Sequence, residues 1–81
     1  MKNQFDAVKF AITVKVWRNM NGFTLRDMCE LCGMEIPTVK FVENGDRTPT
    51  MDEFSHLCDL MGIEAACFFK TAGMDKNGTS N

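Results

Sequence analysis

The stretch TLRDMCELCGMEIPTVKFVENG, residues 24–45, decides the fold. Thr24 is a residue type that caps helix N-termini, and Asp27, three residues later, completes a capping box. Apolar residues then recur at helical spacing, and Gly33 is typical of the position just after a helix C-terminus. The first half of the stretch therefore predicts a short helix.

The second half predicts another short helix, from about Ile36 to Glu43. Pro37 is tolerated there because it falls in the first helical turn. Asn44 and Gly45 end the helix. Two short helices joined by a turn at 33–35 have the spacing of a helix-turn-helix, although many small helical bundles contain similar segments.

Helical periodicity continues on both sides of this motif. Residues 5–20 form one predicted helix, and Thr50 with Glu53 forms a capping box for a fourth. A short fifth helix over 64–69 would place its two phenylalanines on the core. The predicted inner face of the fourth helix comprises Met51, Phe54, Leu57, Cys58 and Met61.

No segment shows strand alternation, so the expected fold is all-α. Five short helices would surround one core at 1–70, followed by a flexible tail at 71–81. No apolar run approaches the ~20 residues needed to span a bilayer, and residues 1–10 lack the order of a signal peptide. We therefore expect a cytoplasmic protein that does not contact a membrane.

The charge balance is slightly acidic, with nine basic residues against eleven acidic ones and a net charge of −2. Nucleic-acid-binding domains usually show a basic excess or patch, because neutralising phosphates supplies much of their affinity. Any binding to DNA must therefore depend on local arrangement. No nucleophile–base set, phosphate-binding glycine loop or carboxylate pair indicates catalysis, so an enzyme is not expected.

Four cysteines raise the question of a metal or redox site. Cys29 and Cys32 form a C-x-x-C, but the wide spacing of Cys58 and Cys67 does not fit a second zinc knuckle. Cys29, Cys32 and Cys58 fall on apolar helix faces, where free cysteine behaves as a small hydrophobe. Core cysteines are thus favoured over zinc or a redox pair, and neither metal nor cofactor is expected.

Several motifs agree in register over residues 10–69, and together they resemble the Cro/repressor-type (XRE-like) helix-turn-helix family of bacterial and phage regulators. The resemblance implies a lambda-repressor-like domain with a helix-turn-helix at helices 2 and 3, and the helix at about 36–43 in the DNA major groove. The motifs are Gly22 before a hydrophobe and Thr24, Gly33-Met34, Thr38-Val39, Val42-Glu43-x-Gly45, Arg47-x-Pro49 and Leu60-Met61-Gly62-Ile63.

Carried over position by position, the resemblance implies contact with double-stranded DNA. Lys40 matches a frequent contact position, while Phe41 stands where the family often has Arg, and Leu25 where it often has Gln. Glu35 takes the place of a Ser or Thr cap. The implied DNA-binding set is Thr24, Leu25, Arg26, Ile36, Pro37, Lys40, Phe41, Arg47 and Thr48.

The predicted recognition helix offers no Arg, Asn or Gln for bidentate base contacts, so apolar contacts to thymine methyl groups are the readout that Ile36 and Pro37 allow. Arg18, Arg26, Arg47 and the amide at Thr24 are candidates for the phosphate backbone. The alternative is a protein–protein module, an antirepressor or accessory factor. It would present Leu25, Ile36, Pro37 and Phe41 to a protein partner.

One apolar stripe of helix 1, at three- and four-residue spacing, is expected to be buried and comprises Ala7, Phe10, Val14 and Trp17. A second apolar stripe follows the outside of helix 1, at four-residue spacing. Either the N-terminus and the C-terminal tail cover this stripe, or it contacts another chain. An uncovered stripe of this length is unusual on a soluble monomer, so association is favoured. A two-fold homodimer is the default form. The stripe comprises Phe5, Val8, Ile12, Val16 and Met20.

Overall fold

A computed structural model describes residues 3–71, which contain four α-helices, one 3-10 helix and a two-stranded antiparallel sheet. The described chain is thus mostly helical, as predicted. In chain order the elements are β1 (Asn3–Phe5), α1 (Ala7–Met20), α2 (Leu25–Cys32), α3 (Ile36–Asn44), α4 (Met51–Met61), the 3-10 helix (Ala65–Phe68) and β2 (Phe69–Thr71).

The helix boundaries follow the predicted caps. Thr24 and Thr50 both form complete capping boxes, and their side chains accept hydrogen bonds from the amides of Asp27 and Glu53 at 3.1 Å. Gly33 ends α2 in the left-handed region, at φ 70°, where a residue without Cβ avoids a steric penalty. Local sequence chemistry therefore fixes where the helix-turn-helix begins and turns.

The core lies where α1, α2, α3, α4 and the 3-10 helix meet. Cys32 and Cys58 belong to it, which confirms their interpretation as small core hydrophobes, and Cys29 packs partly buried against it. Phe68 is buried and Phe69 packs partly buried against the core, as expected. The buried cluster comprises Phe10, Val14, Met28, Cys32, Val39, Val42, Phe54, Leu57, Cys58, Met61 and Phe68.

The small sheet corrects two predictions, the absence of strands and the fifth α-helix. β1 and β2 pair antiparallel, with Phe5 opposite Phe69, and the final helical turn before β2 is 3-10. The amide of Asp6 donates to the carbonyl of Phe68 at 2.7 Å and extends this connection. Strands of three residues are too short to show alternation, so periodicity gave no signal for them.

Two residues lie elsewhere than predicted. Phe5 belongs to β1, because Asp6 caps α1 by accepting a hydrogen bond from the amide of Lys9. Met51, expected on the inner face of α4, is 72% exposed at the first position of that helix. Within 3–71 no helix is long and apolar enough to cross a membrane. Thr71 ends β2, and the rest of the predicted tail, 72–81, lies outside the described residues.

Candidate nucleic-acid interface

The outer face of α3 consists of two adjacent rows of exposed side chains. Ile36, Lys40 and Asn44 follow one another at four-residue spacing, and Pro37 and Phe41 form the neighbouring row. Ile36 is 37% exposed and Phe41 45% exposed. These five residues, called the outer face below, give α3 a mixed surface: apolar at its N-terminal end, with a cation and an amide farther along.

The opposite side of α3 fixes the helix to the rest of the domain. Val39 and Val42 are buried in the core, and Glu43 is the buried charged residue among those described. The stability of α3 thus comes from its inner side, because the outer face makes no part of the core cluster. The outer face is therefore free for an external partner.

Arg18 on α1 neutralises the buried Glu43. Its Nε donates to Glu43 Oε2 at 2.7 Å and its Nη2 to Oε1 at 3.0 Å, while its Nη1 donates to the carbonyl of Phe23 at 2.9 Å. The hydrogen bonds to Glu43 raise the pKa of Arg18 above its ordinary value. Arg18 is therefore a positioning residue for α3, rather than the phosphate contact suggested by the sequence.

The N-terminus of α2 offers fewer free donors than the sequence suggested. The amide of Thr24 donates to Asp27 Oδ2 at 2.8 Å, so it is already satisfied inside the capping box. Within residues 3–71, no hydrogen bond engages the amides of Leu25 and Arg26, the first two residues of α2. An anion approaching this terminus would meet those two amides first.

The two side chains after Thr24 differ in their availability. Leu25 is half-buried and packs against the core, so only part of it can touch a partner. Arg26 is exposed. It lines an open recess of about 430 Å³ between α2 and the start of α3. The recess also includes Cys29, Glu30, Met34, Glu35, Ile36 and Pro37.

Arg47, the predicted phosphate contact after α3, is held in a local ion pair. Its Nη1 and Nη2 donate to the two carboxylate oxygens of Glu53 at 3.1 Å each, and Nη1 also donates to the carbonyl of Thr48 at 3.2 Å. The hydrogen bonds from Arg47 lower the pKa of Glu53, and the amide of Thr50 adds to the effect. A phosphate would have to compete with Glu53 for this guanidinium.

Acidic side chains flank the outer face. Glu35 is exposed at the N-cap of α3 and makes no side-chain capping hydrogen bond. The residues of the outer face line a recess of about 280 Å³, and Asp46 lines it with them. These carboxylates oppose phosphate, so the local field is mixed in sign, as the overall charge suggested.

The stripe on α1 is exposed along most of its predicted length. Val8, Ile12, Val16 and Met20 are between 47% and 81% exposed. Phe5 is a correction: it packs against the core, with its ring centroid 5.4 Å from that of Phe54. The exposed stripe therefore has four members, all on the side of α1 opposite Phe10 and Val14.

The cysteines do not assemble into a metal centre within the described residues. No group of three or more His, Cys, Asp or Glu side chains in 3–71 is placed to hold a metal ion. Burial raises the pKa of Cys32 and of Cys58, which keeps both thiols protonated.

Two site residues were missed in the sequence. Asn44 was interpreted as a helix stop, but α3 continues through it and it joins the row of Ile36 and Lys40. The four-residue spacing from Lys40 was the available signal. Glu53 was recognised only as a cap, because the reach of Arg47 across the loop is a tertiary feature.

Comparison with known proteins gives two informative structures. The chain is similar to the restriction-modification controller protein C.AhdI from Aeromonas hydrophila, with a TM-score of 0.64 and 27% identity over 73% of this chain and 89% of that chain. It is also similar to HppE with cobalt(II) in complex with substrate, with a TM-score of 0.65 and 22% identity. That match covers 89% of this chain and 40% of the other, and at this identity it concerns the fold alone. No family model and no curated protein matches the chain.

The likeness to a controller protein agrees with the helix-turn-helix arrangement of α2 and α3 described above. The two matches together place the mostly helical fold among known architectures.

Proposed function

We propose that the protein is a sequence-specific transcriptional regulator that binds duplex DNA with α3 in the major groove. The main observation is the outer face of α3, which is exposed, contains Lys40 and has its one acidic neighbour on the helix, Glu43, turned inward onto Arg18. The similarity to a restriction-modification controller protein supports this assignment. We expect the protein to act without catalysis and without a cofactor.

The phosphate backbone would be held at both ends of the helix-turn-helix. At the start of α2, the amides of Leu25 and Arg26 lie at the positive end of the helix dipole, and Arg26 adds a charge. The hydroxyl of Thr24 accepts from Asp27 and keeps its own hydrogen for a phosphate oxygen. After α3, Arg47 and Thr48 would contact the backbone once Arg47 exchanges Glu53 for phosphate.

Salt dependence of binding tests this proposal. A regulator that neutralises several phosphates loses affinity steeply as salt rises, with a slope of about −0.9 per phosphate in a plot of log K against log salt. Lys40→Ala combined with Arg47→Ala should abolish binding, and Lys15→Ala, on exposed α1, is the matched control. Unchanged affinity in the double variant would show that the proposed DNA face is wrong.

A second candidate function is favoured by the apolar part of the outer face. Ile36 and Phe41 expose enough carbon surface to suit a protein partner, and an antirepressor or accessory factor would use them in this way. A pull-down comparing the wild type with Ile36→Asp tests this candidate. Partner binding that survives the substitution would exclude the apolar surface as the contact.

We also propose that the regulator is a homodimer formed through the stripe on α1. Val8, Ile12, Val16 and Met20 are exposed at four-residue spacing, and a two-fold axis would bury them against their own copies. Light scattering should give a dimer mass for the wild type and a monomer mass for Val16→Glu, with Lys15→Glu as control. A wild type that is already monomeric would refute this interface.

A further inference from the structure

The outer face of α3 contains an unusual combination of groups for a helix that enters the major groove. Ile36 and Pro37 occupy its first turn, the part of a recognition helix that lies closest to base edges. Phe41 extends the apolar surface by one more turn, beside Lys40. The residues nearest the bases therefore offer carbon atoms rather than hydrogen-bonding groups.

We infer that this face reads the C5-methyl groups of pyrimidines in the major groove. The inference rests on the proposed function, and it names the chemical feature of the DNA that α3 recognises. In that groove the C5-methyl group is the one apolar feature on base edges, and thymine carries it. A 5-methylcytosine displays the same methyl group at the same position, so both bases share the chemistry.

Charge favours DNA over an apolar protein surface as the occupant of this face. Among the described residues of α3, the one carboxylate, Glu43, is buried and paired with Arg18, so Lys40 is the charged member of the outer face, with Glu35 and Asp46 at its edges. A cation beside an apolar surface suits a polyanion with methyl groups. It would be costly against a purely apolar partner, because the ammonium group would lose its water without gaining an acceptor.

The same geometry disfavours bases without the methyl group. If Ile36 or Pro37 covered an unmethylated edge, the polar groups there would lose water and gain no hydrogen bond in return. Discrimination thus comes from an attractive contact with the methyl group and from a penalty on the alternatives. Lys40 and Asn44, farther along the row, remain available for a guanine, an adenine or a phosphate.

The experiment starts from duplexes selected by the full-length wild type from a random pool at low salt. In one arm each thymine of the selected site is replaced by deoxyuridine, which removes the methyl group and nothing else. In the other arm each cytosine is replaced by 5-methylcytosine. We expect an affinity loss of about fourfold per contacted thymine, the change associated with one buried methyl-sized group, or a similar gain with 5-methylcytosine.

Protein variants connect the effect to α3. The deoxyuridine penalty should disappear in Ile36→Ala, Pro37→Ala or Phe41→Ala at the position that each side chain contacts. The base replacement and the protein substitution remove the same contact, so the second change has nothing further to remove. Leu31→Ala, also at an exposed apolar residue, is the matched control and should keep the penalty. All of these side chains are exposed, and circular dichroism checks that each variant folds.

The outcomes separate the inference from the function on which it rests. No enrichment of any duplex overturns both. Selected duplexes that bind within about twofold after every base replacement overturn the inference and leave the function standing. A deoxyuridine penalty that persists in all three α3 variants also overturns it, because the methyl group would then act through DNA shape.

Discussion

Arg18 and Glu43 form a two-pronged ion pair that connects α1 to α3, with N···O distances of 2.7 and 3.0 Å. The side chains are 14% and 5% exposed, so the pair is largely shielded from water. Arg18 also donates a hydrogen bond to the carbonyl of Phe23, so the same guanidinium holds the segment that connects α1 and α2. Three segments of the domain thus depend on one guanidinium for their relative placement.

Removing one member of this pair should destabilise the domain. Glu43→Ala leaves the charge of Arg18 without its partner, and we expect the free energy of unfolding to fall by about 2–4 kcal/mol. Arg18→Ala should cost a similar amount, and the double variant less than the sum. Urea denaturation measures all three, with Glu30→Ala, an exposed acid, as control. Strict additivity would contradict a direct interaction between the two residues.

Glu53→Gln should tighten DNA binding by releasing Arg47. Glutamine can replace glutamate in a capping box, so the start of α4 is preserved while the ion pair is lost. Exposed pairs of this kind are worth little, so we expect a gain of about twofold to fivefold in affinity. Asp52→Asn removes the same charge one residue away without releasing Arg47. An equal gain in both variants would mean that net charge alone is responsible.

The Arg47–Glu53 pair should also contribute to pH-dependent stability. Because the pKa of Glu53 is lowered in the folded protein, its contribution is present above its unfolded pKa, about 4.3. The contribution is lost as the pH falls through the lowered folded value. The stability difference between wild type and Glu53→Gln, measured by urea denaturation, should therefore shrink below about pH 4. A difference that stays constant through this range would show that the carboxylate is not stabilised by its partners.

Glu35→Ser should improve both stability and DNA affinity. Glu35 occupies the N-cap of α3 without a capping hydrogen bond, whereas serine is a preferred cap. We expect a gain of about 0.5–1 kcal/mol in the free energy of unfolding, together with tighter DNA binding because a negative charge leaves the interface. Glu35→Gln isolates the charge effect. Unchanged DNA affinity in both variants would place Glu35 outside the interface.

Local chemistry made much of the fold predictable. Thr24, Thr50 and Gly33 act within a single turn of chain, so capping rules placed both ends of α2 and the start of α4 correctly. The buried positions Phe10 and Val14 of α1 and the inner face of α4, apart from Met51, also followed from helical periodicity. Features that need distant partners were not predictable: β1 pairs with β2 from the opposite end of the described chain.

In the candidate site, too, local features were predictable from the sequence and contacts between distant residues were not. Exposure of Ile36, Pro37 and Phe41 follows from their spacing on α3, since Val39 and Val42 define the opposite side. The roles of the arginines could not be predicted from the sequence, because it does not show whether an arginine is paired with a carboxylate inside the protein or is available to bind phosphate. Arg18 and Arg47 both proved to have such partners.

The separation of α3 into an inner and an outer side has a consequence for divergence and for engineering. The inner residues and the Arg18–Glu43 pair must change together or be retained, while the five outer positions lie outside the buried core. A descendant of this chain can therefore acquire a new target through substitutions that leave its melting temperature nearly unchanged. Libraries randomised at 36, 37, 40, 41 and 44 would sample recognition almost independently of foldability.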